Sequence, residues 1–266
     1  MTTLTAYRAS KELFLNLTLR ELRSKYKRSF FGWAWSLANP VATMVVYTIV
    51  FKYFLHSTPS PGHPSGLDVF ALFLLCGLLP WNFFIASVNG CIGSLIGNAS
   101  LIKKTYFPRE LLPASTVGAA LVSHLIEMGL LIFTLLCFGN WRLLEFLPVV
   151  VLLTILVALY GLGLGLMLSA WNVFFRDIQH FMGILTMVWF FMTPIVYSLA
   201  QVPAGARTIL KLNPMTDAVL SYQAVLYNGH APGWFELGYF AFSALVTLAV
   251  GQAVFNRLEP GLAEEL

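Results

Sequence analysis

Six apolar runs, at roughly 34–55, 69–97, 112–138, 147–170, 181–199 and 235–255, dominate this chain of 266 residues. Each approaches or exceeds the ~20 residues that an α-helix needs to cross the hydrocarbon layer of a bilayer. Lipid offers no partner to backbone N–H and C=O groups, so a spanning segment closes its own hydrogen bonds as a helix or joins a closed barrel. The runs are too long for barrel strands and lack the alternating polar pattern of such strands. The expected fold class is therefore an all-α membrane protein with six transmembrane helices.

Composition agrees. The chain is 58% hydrophobic and 11% charged, with a mean hydropathy of +0.76; a soluble domain carries about 25% charged residues. So little charge cannot cover a water-facing surface. One membrane domain is expected: an amphipathic cytoplasmic helix over 1–32, a transmembrane body over 33–255 and a cytoplasmic tail over 256–266. The opening MTTLTAYRASKEL shows no cleavable signal pattern, because the first apolar run starts late and runs long.

Six spans place both termini on one side. Twelve of the sixteen cations (Arg8, Lys11, Arg20, Arg23, Lys25, Lys27, Arg28, Lys103, Lys104, Arg109, Arg176 and Arg257) then fall inside. Four (Lys52, Arg142, Arg207 and Lys211) fall outside. Cytoplasmic loops carry the Lys/Arg excess, so both termini are expected in the cytoplasm. The cations flank spans, which makes their excess a topology signal and argues against a nucleic-acid partner. Cys76, Cys91 and Cys137 all lie in apolar runs and form neither a disulfide framework nor a metal motif.

The stretch 20–55, RELRSKYKRSFFGWAWSLANPVATMVVYTIVFKYFL, reads as basic helix, aromatic boundary and span. Leu15, Leu19, Leu22 and Tyr26 form one helical stripe, with Arg20, Arg23 and Lys27 beside it. Such a helix lies in the membrane interface with its basic side toward anionic headgroups. It is either a topology anchor or a cationic collar for a phosphate-bearing lipid. The inner loop NASLIKKTYFPRELLP is compact, basic and aromatic, and Pro108 with Arg109 and Glu110 suits a short helix start. It is either an ordinary loop or a docking surface. The second inner loop, WNVFFRDIQH, sets Arg176 next to Asp177; they are either an interfacial ion pair or the end of a substrate groove. The outer segment 200–234, with Asn213-Pro214 and Asn228-Gly229 as turns, is expected to hold two short helices dipping into the outer leaflet.

Within the spans, His124 and Glu127 share one helix face. Ionisable groups at that depth are costly and face the bundle interior. They are either a proton relay or substrate contact, or a mutually hydrogen-bonded structural pair. Gly161, Gly163 and Gly165, and Gly93 with Gly97, are small residues suited to close helix approach. Pro194 in WFFMTPIVY is expected to kink the fifth span. No Gly-Lys dipeptide occurs, which excludes a P-loop of the G-x-x-x-x-G-K-[ST] form. No G-x-S-x-G or H-E-x-x-H motif and no paired acidic catalytic motif is present, so the chain carries no engine or catalytic centre of its own.

Four stretches resemble the permease subunits of ATP-binding-cassette exporters for cell-surface polysaccharides such as O-antigen, capsule or teichoic acid. They are LRELRSKYKRSFFGWAWSLANPVATMVVYTIVF, LIKKTYFPRELLP, NVFFRDIQHFMGILTMVWFFMTPIVYSL and LNPMTDAVLSYQAVLYNG. The resemblance implies a non-catalytic homodimer in the cytoplasmic (inner) membrane. It implies two copies of a separate ATPase subunit that binds ATP and Mg, with no cofactor in this chain, and a polyprenyl-pyrophosphate-linked glycan as substrate. Lys103, Lys104, Tyr106, Phe107, Pro108, Arg109 and Glu110 would couple to the ATPase. Arg20, Arg23, Lys27 and Arg28 would frame the lipid-pyrophosphate entrance. Trp33, Trp35, Tyr47, Phe51, Trp189, Phe190, Phe191 and Tyr197 would line the channel. The alternatives are an exporter of drugs or small lipophiles on the same architecture, and an ion-coupled carrier using His124 and Glu127.

Overall fold

The computed structural model describes residues 3–26, 34–54 and 61–265. All regular elements among them are helical. Helix α1 spans Thr3–Tyr26, and α2 spans Ala34–Tyr47 and continues as π-helical turns over Thr48–Phe54. Helix α3 is Phe70–Gly97, the short α4 is Ala99–Lys104 and α5 is Leu111–Cys137. A 3-10 turn at Trp141–Phe146 leads into α6, Leu147–Phe174, and then α7, Ile178–Phe191. Helix α8 is Ala204–Lys211, and α9 is Pro214–Tyr222, prolonged by π-helical turns over Gln223–Asn228. Helix α10 is Trp234–Leu258, and the tail closes with α11, Leu262–Glu265.

Among the described residues, four segments are long and apolar enough to cross a membrane: Phe70–Gly97, Leu111–Cys137, Trp141–Phe174 and Trp234–Gly261. Pro40–Phe54 and Ile178–Phe191 are shorter apolar helices. The fifth expected span thus stops earlier than its apolar run. Pro194 has no N–H to donate and disfavours helical backbone at Thr193, so the helix ends at Phe191 instead of kinking and continuing.

Helix α3 is the axis of the bundle. It packs against α5, α6, α7 and α9, and most of its length is buried. Association of helices in lipid relies on close van der Waals packing, so small residues decide where backbones meet. The three glycines of α6 work in two directions. A Cβ on Gly161 would stand 3.1 Å from Ser87 Cβ, and one on Gly165 would stand 2.5 Å from Cys91 Sγ, both on α3. A Cβ on Gly163 would meet Leu248 N and Thr247 C and O, each at 2.6 Å, on α10. One on Gly251 of α10 would run into the Gly163 carbonyl. Gly93 and Gly97 have no such neighbour among the described residues, so their expected packing role within the chain is not seen.

The main apolar core runs through α3, α5, α6, α9 and α10. A second cluster lies at the end of the bundle that carries α1. It joins Leu17 of α1, Leu95 of α3, Ile102 of α4, Leu112 of α5, Leu166, Ala170 and Val173 of α6, Phe255 of α10 and Leu262 of α11. The opposite end carries Phe138, Trp141, Trp234 and Phe235, all exposed, and the two Trp side chains are of the amphipathic kind enriched at membrane–water boundaries.

Candidate functional site

The loop between α3 and α5 turns two faces in two directions. Asn98 closes α3 and precedes α4, and Thr105 is extended, so the chain leaves the bundle before Tyr106. The short helix of this loop is ASLIKK. Pro108, Arg109 and Glu110 do not open a helix of their own; they lead into the long α5. Lys103, Lys104 and Pro108 are exposed, and Tyr106 is wholly so. Phe107 is half-buried against the second cluster. Arg109 turns inward, and its Nη1 donates to the backbone oxygen of Glu259 at 2.6 Å. Glu110 accepts from Nε2 of Gln252 on α10 at 2.6 Å. Residues 106–110, Glu259 and Pro260 together line a cavity of about 430 Å³.

Helix α1 is two-sided. Leu17, Thr18 and Leu22 are buried, and Phe14 and Thr18 lie against Gly118 of α5, where a Cβ would come within 3.1 Å of each. Leu15 and Leu19 of the expected stripe face outward instead, about half exposed, while Leu22 faces in. Leu19, Arg20, Arg23, Asn16 and Ser24 line a cleft of about 490 Å³. Arg20 is held in place: its Nη2 bonds Glu21 Oε1 at 3.0 Å and Asn98 Oδ1 at 2.6 Å. Asn98 in turn donates to Ser94 O. Lys27, Arg28 and Trp33 lie outside the described residues, and so do the side chains of Trp35 and Phe51.

Tyr47, Trp189 and Phe190 of the first and fifth apolar runs join aromatics of the second, fourth and sixth runs in a ladder across the bundle. Tyr47 stacks on Phe190 at 5.9 Å between ring centres, Phe190 meets Trp81 at 5.8 Å, and Trp81 meets Phe84 at 5.8 Å. Phe84 stacks on Tyr160 at 5.4 Å, and Tyr160 meets Phe240 at 6.0 Å. Trp189 sits inside this ladder, 5.2 Å from Phe84 and 6.2 Å from Trp81. Phe191, by contrast, is exposed, and Tyr197 donates to its backbone oxygen at 2.8 Å.

Where α7 ends, side chains from the outer segment supply what the broken backbone needs. Asn213 Nδ2 donates to Thr193 Oγ1 at 3.0 Å and to Met192 O at 3.3 Å. Gln223 Nε2 donates to Pro194 O at 3.2 Å. Helix α9 is itself buried, so one of the two expected short helices forms part of the core and α8 alone stays at the surface.

His124 is buried, its ring stacked on Phe83 at 4.6 Å. Neither of its nitrogens has a hydrogen-bond partner among the described residues. The mutual His124–Glu127 hydrogen bond expected for a structural pair is therefore not made, and the imidazole stacks on Phe83. No three His, Cys, Asp or Glu residues are grouped to hold a metal ion among the described residues.

Sequence reasoning did not single out Asn98, Gln252 or Glu259. In the sequence Asn213 stands out only as part of an Asn-Pro turn. Asn ahead of Pro is the pattern of a helix cap with Pro in the first turn, and it could have placed α9. Gln252 and Glu259 gave no signal, because their roles depend on contacts far along the chain.

Residues 12–227 match the family model of the ABC-2 type transporter. The O-antigen export system permease protein RfbA of Myxococcus xanthus is 32% identical over 258 residues, covering 96% of this chain and 95% of that protein. RfbA of Klebsiella pneumoniae is 30% identical over 255 residues, with 96% and 95% covered. The polysialic acid transport protein KpsM of Escherichia coli is 28% identical over 253 residues, with 92% and 93% covered. The chain belongs to the ABC-2 type transporter membrane family.

Proposed function

We infer that this chain is the membrane permease subunit of an ATP-driven exporter of lipid-linked polysaccharide, with O-antigen as the first choice of cargo. The observation that carries the reading is its end-to-end similarity to proteins named as O-antigen export permeases. The architecture is in keeping with it: an apolar helical body, cations gathered at the α1 end and no nucleotide-binding motif. Two copies of the chain form the conduit in the inner membrane, both termini cytoplasmic, and two ATPase subunits bind ATP and Mg and supply the work.

In this reading Lys103, Lys104, Tyr106 and Pro108 are the surface that meets the ATPase. Arg20 and Arg23, beside the outward Leu15 and Leu19, receive a pyrophosphate and its lipid chain, since a fixed guanidinium favours a phosphate and exposed leucines favour acyl or prenyl chains. Lys27 and Arg28 extend that collar. Phe191 faces the glycan, and Phe190, Trp189, Tyr47 and Tyr197 back it as a stiff wall. ATP drives export by binding more tightly to one conformation of the assembly than to the other.

The test is reconstitution of the chain with its ATPase in liposomes bearing the lipid-linked glycan. Export is expected to need ATP and to persist in the presence of an uncoupler. Uphill movement by the chain alone, or movement abolished by the uncoupler with ATP present, overturns the reading.

A further inference from the structure

The α3–α5 loop is fastened to α10 and to the 3-10 turn Glu259–Gly261 that follows it by two long-range side-chain bonds. Arg109 reaches the carbonyl of Glu259, and Glu110 accepts from Gln252, in both cases at 2.6 Å. Gln252 also donates to Asn256 Oδ1 at 2.9 Å, so its amide is oriented along α10. These bonds join residues that are 150 and 142 positions apart in the chain. Hydrogen bonds to charged groups are short and strong, and both of these involve one. Next to Gln252 lies Gly251, whose backbone rests on the Gly163 carbonyl of α6, and the reverse contact from Gly163 meets the backbone of Thr247 and Leu248. Backbone against backbone leaves no soft side chain to absorb a displacement.

We propose that Arg109 and Glu110 are positioning residues that lock the loop to α10 and the turn at its end, so that a push on the loop from the ATPase is delivered to α10 and, through Gly251 and Gly163, to α6. This deepens the function proposed above and rests on it. The partner touches the outward face of the loop, at Lys103, Lys104 and Tyr106, while the inward face transmits the movement. The exposed residues 103–106 and the inward Arg109 and Glu110 follow one another along one short stretch, which explains how a loop of this size can serve both ends.

The experiment uses the complete complex and a donor–acceptor swap. Gln252→Glu sets two carboxylates against each other. Glu110→Gln combined with Gln252→Glu restores one donor and one acceptor at the same places. Three quantities are read for each: ATPase co-purified per permease, ATP hydrolysed, and glycan exported. For Q252E, the co-purified ATPase is expected to stay at the wild-type level, while glycan exported per ATP falls about tenfold, a coupling loss of usual size. The double swap is expected to recover most of that ratio. An unchanged ratio in Q252E, a double swap that recovers nothing, or a loss of export that follows a loss of co-purified ATPase each overturns the proposal. Failure of the underlying reading is distinct: the wild-type complex would then show no ATP-dependent export at all.

Discussion

The indole N–H of Trp189 donates to Oδ1 of Asn213 at 2.8 Å, and the same oxygen accepts the backbone N–H of Met215 at 3.1 Å. One amide thus caps α9 and anchors the end of α7, with its nitrogen serving Thr193 and Met192. Irregular backbone at membrane depth persists only where protein satisfies it. Asn213 and Gln223 are the groups that do so.

Asn213→Ala removes the cap and the amide bonds together. A cap is worth ~1 kcal/mol and an orphaned buried polar group costs ~1–3 kcal/mol. A loss of about 3 kcal/mol is expected, read from denaturation in detergent. Asn213→Asp keeps the acceptor and loses the donor, so it should fall between the wild type and Ala. Trp189→Phe keeps most of the ring packing and should cost about 1 kcal/mol. A Trp189→Phe variant less stable than Asn213→Ala would contradict this ordering.

The α6–α10 crossing leaves no space for a methyl group. Gly163→Ala would put Cβ 2.6 Å from backbone atoms of Thr247 and Leu248, which cannot swing aside. Overpacking of this kind costs ~1–3 kcal/mol or more, and loss of the folded protein in detergent is expected. Gly93→Ala meets nothing within 4 Å among the described residues and should fold normally. The check is fluorescence-detected size exclusion of both variants side by side; a monodisperse Gly163→Ala would refute the crossing.

The sequence alone carried the helical class and most of the helix boundaries, because apolar length is a local signal. Phe70–Gly97 and Leu111–Cys137 needed nothing else. What it could not carry was direction. Gly161, Gly163 and Gly165 look like one stripe in the sequence, yet they serve two neighbours. Leu15 and Leu19 look like a face that joins Leu22, yet Leu22 alone of the three turns inward. The candidate loop was legible as basic and aromatic, but the inward turn of Arg109 and Glu110 depends on α10, more than a hundred residues away.

Asp217 predicts a pH dependence. Burial pushes its carboxyl up to about 7, the Glu236 carboxylate adds to this, and Lys211 opposes it. The N-terminal turn of α9 favours a carboxylate, but burial outweighs it. The folded state therefore holds the proton more tightly than the unfolded chain, whose Asp titrates near ~3.9. Stability from this group is full below pH ~4 and is lost as the pH rises toward about 7. Asp217→Asn should raise the melting midpoint at pH 8, by roughly 2 kcal/mol in stability, and the gain should shrink at pH 5. A gain that is equal at both pH values would place the effect elsewhere.

Tyr106 gives the sharpest test of the docking face. Its side chain is wholly exposed, whereas Phe107 beside it packs into the cluster with Leu112 and Val173. An aromatic left in water by its own chain contributes nothing to folding, so Tyr106→Ala should leave the melting midpoint of the isolated permease unchanged. At an interface, truncating a central aromatic costs ~2 kcal/mol, about thirtyfold in affinity. The ATPase should therefore dissociate about thirtyfold more readily from Tyr106→Ala, measured by titrating purified ATPase onto permease in nanodiscs. Phe107→Ala should do the reverse, lowering the melting midpoint first. Lys104→Glu should weaken binding most at low salt, since exposed charges are screened within ~10 Å at 0.1 M. If Tyr106→Ala binds the ATPase as tightly as the wild type while Phe107→Ala does not, the outward and inward faces of this loop have been assigned the wrong way round.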